Sequence, residues 1–140
     1  MLNNLDHLRA EHAEILTTVA ELNHLLQPST VRKKAQLIQE LVAELTRRTL
    51  SHLLLEDRCL YQEMLISQHD ETRAIAQQHI ISMGSMAEQL RDYVQLWHSY
   101  DCITARPEKF CEESQRILKA LETRINREER VLYPRAEALT

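Results

Sequence analysis

The sequence predicts an all-α protein, an antiparallel up-down-up-down four-helix bundle formed as a single domain over residues 1–140. Three observations carry that expectation. The 140 residues include one glycine and three prolines, too few for the turns and strand corners of a β-rich fold. Ala, Leu, Glu, Gln and Arg dominate, and these are good helix formers. Four apolar stripes at helical spacing are separated by break signals. The length suits one domain with one substantial core.

The first helix is expected over 2–26, with Leu5, Leu8, Ile15, Leu16 and Val19 on one face. The stretch "QPST", Gln27 to Thr30, ends it, combining Pro28 with two good N-cap residues. The second helix is expected over 31–66, with Ile38, Leu41, Leu45, Leu55 and Cys59 inward. "SQHD", Ser67 to Asp70, then offers Ser67 or Asp70 as a cap. The third, over 70–98, carries Ile75, Met83, Met86, Leu90 and Trp97. "HSYDCITARPE" reads as a polar connection ending in Pro107, which suits a first helical turn. The fourth, over 107–134, carries Phe110, Ile117, Leu121 and Val131 and is closed by Pro134. Short connections between amphipathic helices make neighbours antiparallel.

Composition excludes several function classes. The net charge is −4, with 17 basic residues scattered among 21 acidic ones. No basic stripe forms, so nucleic acid is not expected as a partner. No apolar run approaches the roughly 20 residues of a membrane span. The opening "MLNNLDHLRAEH" is amphipathic and does not read as a signal peptide. Cys59, Cys102 and Cys111 have no ligand-type spacing and leave an odd thiol, which fits a reducing cytoplasm. There is no Gly-rich phosphate loop and no nucleophile elbow, so the chain is not expected to be an enzyme.

Each apolar stripe is interrupted by an ionisable residue. At about 100° per residue, His12 falls on the inward line of Leu8 and Ile15, whereas His7 points away. His52 and Glu56 continue the line of Leu41 and Leu45. His79 lies in line with Met86, Leu90 and Trp97. Arg124 and Glu128 continue the line of Ile117 and Leu121. Burying such groups without partners is expensive. Either a metal held by His and carboxylate ligands neutralises them, or a mutual network of ion pairs does. Taken singly, each has a plainer role: a satisfied core histidine, or a local i,i+4 pair. Glu129, Asp57 and Arg130 read as solvated outer-face residues, and Met83 with Met86 as core filling. The coincidence of His12, His52, Glu56, His79 and Glu128 at comparable depth favours the functional reading.

The stretches that carry these residues are "EHAEIL", "HLLLEDRCLY", "QQHIISM" and "RINREERVLYP". In them the chain resembles the hemerythrin-like (HHE cation-binding) family over nearly its whole length. The resemblance implies a four-helix bundle around a non-haem di-iron centre. It implies metal ligands at His12, His52, Glu56, His79 and Glu128, with the glutamates of such sites bridging two irons. Arg124 departs from the pattern, standing where the family has a His. A guanidinium has five donors and no lone pair, so it cannot bind iron; it can replace a metal by pairing with Glu56 and Glu128.

Three states of the site follow: one metal at His12, His52, Glu56 and Glu128; no metal, with the charges closed on themselves; or a normal pair of irons. The expected function is a non-haem iron sensor or regulator responding to oxygen, nitric oxide or iron. A small diatomic ligand would be its partner. The alternative is a metal-free regulatory or protein-interaction bundle, acting through a protein partner or as a homodimer. Cys59, Tyr61 and Tyr133 are candidate pocket-lining residues. For the two tyrosines helix-end packing is the plainer role, and for Cys59 a small core residue.

Overall fold

A computed structural model describes residues 4–138. Helix α1 runs Asn4–Leu25; the expected start at residue 2 lies outside the described residues. The second rod consists of α3 (Ala35–Glu56), a π-helical turn (Asp57–Tyr61) and α4 (Gln62–Leu65). The third is α5 (Asp70–Met83) followed by α6 (Met86–Leu96). The fourth joins α8 (Pro107–Arg127), a second π-helical turn (Glu128–Leu132) and α9 (Tyr133–Glu137). Two short helices connect the rods, α2 (Pro28–Lys33) and α7 (Tyr100–Ala105). α1 and α6 each pack against α3 and α8, giving the expected all-α bundle. Among the described residues there is no strand, and no helix is long and apolar enough to cross a membrane.

Several boundaries differ from expectation, each for a local reason. The second segment does not begin as one helix at residue 31. The chain turns at Lys34 (φ −120°, ψ 29°), and α2 lies separately so that Val31 becomes fully buried. The stretch expected as a polar connection contains α7. The Ser99 hydroxyl caps it by accepting the Cys102 N–H at 3.3 Å, and Ile103 anchors it in the core. The third rod is interrupted at Gly84, where a Cβ would stand 2.3 Å from the Ile80 carbonyl oxygen. Pro134 does not close the fourth helix. It sits in the first turn of α9 directly after a wide π turn, where a missing N–H and a fixed φ are tolerated.

The two π turns change which residues face inward. A π turn takes about one residue more than an α turn, so the stripe advances by one position. Cys59 and Val131, expected inward, are half-buried. Leu60 and Leu132 take their places and are fully buried.

The apolar interior falls into two clusters. The larger is built from Ile15, Val19, Ile38, Leu45, Leu90, Phe110 and Leu121 with their neighbours. The smaller comprises Leu5, Leu8, Leu60, Met64, Leu132, Tyr133 and Ala136 among others. The polar residues of the sequence pattern lie between them.

Candidate metal centre

α1 supplies His12 to this layer, α3 supplies His52 and Glu56, and α5 supplies His79. α8 supplies Arg124, and Glu128 opens the second π turn. All six are buried, with Glu56 at 0% and Arg124 at 4% exposure. Such charges survive in an apolar interior only by engaging one another or an ion.

One ligand atom from each of His12, His52, Glu56 and Glu128 lies within 4.8 Å of the other three. His12 Nε2 is 3.0 Å from Glu128 Oε1 and 3.8 Å from Glu56 Oε2. His52 Nε2 is 3.2 Å from Glu56 Oε2. His79 stands outside this group of four; its Nε2 faces Glu128 Oε2 at 3.4 Å.

The outer nitrogens of the two ligand-type histidines are each held by a carboxylate. His52 Nδ1 lies 2.8 Å from Glu11 Oε1, and His12 Nδ1 lies 2.5 Å from Glu129 Oε2. A carboxylate on Nδ1–H fixes the tautomer and aims the Nε2 lone pair at the centre. Glu129 is therefore not a solvated outer-face residue, as its sequence position suggested. Glu11 gave no sequence signal of its own; its adjacency to His12 is the single clue.

The tyrosines join the layer crosswise rather than merely packing at helix ends. The Tyr133 hydroxyl donates to Glu56 Oε2 at 2.6 Å and lies 3.1 Å from His12 Nε2. The Tyr61 hydroxyl donates to Glu128 Oε2. The π turns bring both rings inward, five residues beyond their own glutamates. Cys59 remains half-buried on the flank.

Arg124 closes the other side. Its Nε donates to Glu128 Oε2 and its Nη2 to Glu56 Oε1, both at 3.3 Å. Its Nη1 donates to the Met83 carbonyl at 2.8 Å, satisfying an end carbonyl of α5 that has no helical partner.

The electrostatics follow from this crowding. Burial pushes the Glu56 carboxyl up, Glu128 adds to the push, and His52 only partly offsets it, leaving a value of about 7. Glu128 goes the other way. Burial opposes its charge, but His12, His79 and Arg124 hold it well below the usual carboxylate range. Burial would lower His52, yet Glu56, Glu11 and Glu128 outweigh it and lift the imidazole to about 9. Burial likewise disfavours the Arg124 cation, and Glu128, Tyr61 and Glu56 more than compensate.

The donor set fits a metal ion. His52 Nε2 and His79 Nε2 approach Glu56 and Glu128 at 3.2 and 3.4 Å without well-aligned hydrogen bonds, and His79 Nδ1 is buried with no hydrogen-bond partner, an unusual condition for buried polar atoms. Two imidazoles and two carboxylates suit a borderline first-row transition metal. They fit one ion on the His12 and His52 side. A second ion on the other side is opposed by Arg124, which fills that position with a fixed cation.

Comparison with curated proteins and with solved structures returns no significant match. The sequence model of the hemerythrin HHE cation binding domain, however, matches residues 3–136. The match runs through all four rods and includes every residue of the polar layer. On that footing the chain belongs to the hemerythrin HHE cation-binding domain family.

Proposed function

We propose that the bundle holds one iron ion through His12, His52, Glu56 and Glu128, and serves as a cytoplasmic sensor or regulator rather than an enzyme. The supporting observation is that one ligand atom from each of His12, His52, Glu56 and Glu128, all buried, lies within 4.8 Å of the other three. Iron would supply an open coordination position for a small ligand such as oxygen or nitric oxide. The protein's own residues do the rest. Glu11 and Glu129 orient the imidazoles, and Tyr61 and Tyr133 hold the two carboxylates in place. Arg124 supplies the positive charge that a second metal would otherwise bring. The apolar clusters on both sides keep water out.

The engagement of Arg124 with both carboxylates favours a second reading, a metal-free regulatory bundle acting through a protein partner. Metal content separates the two. After anaerobic ferrous reconstitution and desalting, wild type should retain about one iron per chain and His52→Ala none, because a central ligand is lost. No iron in either protein would establish the metal-free reading.

A further inference from the structure

Each half of the polar layer carries a tyrosine beyond its glutamate, but the two hydroxyls have different surroundings. The Tyr61 hydroxyl lies on the guanidinium side. It donates to Glu128 Oε2 and accepts from Arg124 Nη2 at 3.4 Å. The Tyr133 hydroxyl lies among the ligand-type donors, 2.6 Å from Glu56 Oε2 and 3.1 Å from His12 Nε2. Its ring stacks on the His12 imidazole, with centroids 5.1 Å apart and planes 4° from parallel.

Those separations are the spacings of neighbouring ligands. Donor atoms about 2.1 Å from a first-row ion stand about 3.0 Å apart when they subtend a right angle. Other edges of the group are similar: 3.0 Å from His12 Nε2 to Glu128 Oε1, and 3.2 Å from His52 Nε2 to Glu56 Oε2. The Tyr133 oxygen is too far from its two neighbours to stand where an ion would. It is close enough to be a further donor beside it.

Protons also run short here. Glu129 holds His12 Nδ1–H, which leaves a lone pair on Nε2. That lone pair faces the Glu128 carboxylate and the Tyr133 oxygen, whose one proton goes to Glu56. Without metal the phenol keeps this proton, because burial, Glu56 and Glu128 all disfavour the phenolate. A bound cation inverts that preference. The Arg9 guanidinium lies over the Tyr133 ring, 5.6 Å from its centroid, where positive charge favours an anionic ring.

We propose that Tyr133 is a fifth ligand of this site and binds ferric iron as a phenolate, an inference that rests on the one-metal reading above. On binding, the Tyr133 O–H bond breaks, its oxygen bonds to the iron, and the proton leaves to the buffer. No electron is transferred, since the iron arrives ferric. Tyr133 gives up its hydrogen bond to Glu56, and the two oxygens share the ion instead. Two carboxylates and one phenolate set three anionic oxygens against a trivalent ion, which suits hard oxygen donors. Tyr61 does not take this part, because Arg124 stands on its side of the layer.

Full-length metal-free protein, loaded with ferric citrate and desalted, tests this by iron analysis and resonance Raman spectroscopy. A ferric phenolate gives a visible charge-transfer band that enhances tyrosine ring vibrations; imidazole and carboxylate ligands enhance none. Wild type should hold about one iron per chain and show the band and the vibrations, which should move when ring-deuterated tyrosine is incorporated. Tyr133→Phe should lose both, and Tyr61→Phe should keep both. If Tyr133→Phe does not fold, Tyr61→Phe still decides, because the remaining tyrosines lie elsewhere: Tyr93 bonds Ser114, and Tyr100 is exposed on α7. Iron bound by wild type without tyrosine vibrations would overturn the proposal and leave the one-metal reading standing. Vibrations that persist in Tyr133→Phe, or vanish in iron-loaded Tyr61→Phe, would overturn it as well. No iron in wild type would remove both readings.

Discussion

Arg124→Ala tests whether a side chain holds the place of a metal. The variant removes a guanidinium that is 4% exposed and bonded to two carboxylates at 0% and 1% exposure. It also strands the Met83 carbonyl. Removing one partner of a buried ion pair typically costs about 3–5 kcal/mol, because the other charge remains in the interior. With about 2.1 cal/mol/K of unfolding entropy per residue, that corresponds, for 140 residues, to a fall in Tm of about 10–17 °C. The assay is calorimetric melting of metal-free protein at pH 8, with urea unfolding at 25 °C beside it. The loss should shrink at pH 5.5. Burial and Glu128 already raise Glu56 to about 7, so an unpaired Glu56 takes up a proton and sheds its charge. It should also shrink in Arg124→Ala/Glu56→Gln, which no longer strands that carboxylate. A metal-free loss below about 1 kcal/mol at pH 8, the range of an exposed pair, would refute the idea that Arg124 neutralises the centre.

The other expectations concern the same layer. Arg124→His restores an imidazole in place of the guanidinium, and iron per chain measured by mass spectrometry should rise from about one toward two; an unchanged count means that something besides Arg124 excludes the second ion. Glu11→Gln removes the carboxylate from His52 Nδ1, and competition with a chelator should show metal affinity reduced by about 10–100-fold, with the fold intact by circular dichroism. The stability of the metal-free protein should decline from pH 6.5 to 9. The His52 imidazole is raised above its ordinary 6.5 to about 9, so its stabilising charge is fully present below 6.5 and is lost as pH rises through 9. Urea midpoints at pH 6.5 and 9 would measure this, and His52→Gln should flatten the difference.

The four rods and the inward set His12, His52, Glu56, Arg124 and Glu128 were legible because helical periodicity maps sequence onto faces with few assumptions. What the sequence concealed was hydrogen-bond register. Nothing in "DRCLY" or "EERVL" marks a π turn, since an extra residue per turn leaves composition unchanged. Periodicity therefore put Cys59 and Val131 in the core, where Leu60 and Leu132 sit. The same shift brings the Tyr61 and Tyr133 hydroxyls onto the carboxylates. Glu11 and Glu129 were illegible for another reason. A half-exposed glutamate looks like a solvated one until the neighbouring helix supplies the imidazole it holds. Lys34 and Gly84 break their rods because of burial and close backbone approach, which belong to the packed state.

The layer also shows why a cation, rather than any other residue, stands at position 124. The two halves mirror one another: each has a glutamate followed by a π turn and a tyrosine, and each tyrosine hydroxyl reaches the other half's glutamate. That cross-bracing holds Glu56 and Glu128 together whether or not a metal is present. Two carboxylates held together in an apolar setting repel, which adds to the upward push that burial gives Glu56. A neutral residue at 124 would leave that repulsion to a metal alone, and the protein would lose stability whenever the ion dissociated. A fixed guanidinium separates the tasks. Arg124 would keep the bundle folded without metal, and under the proposed one-metal reading the His12 and His52 side could bind and release an ion without unfolding the chain. That separation predicts a smaller gap in Tm between loaded and metal-free protein for wild type than for Arg124→His.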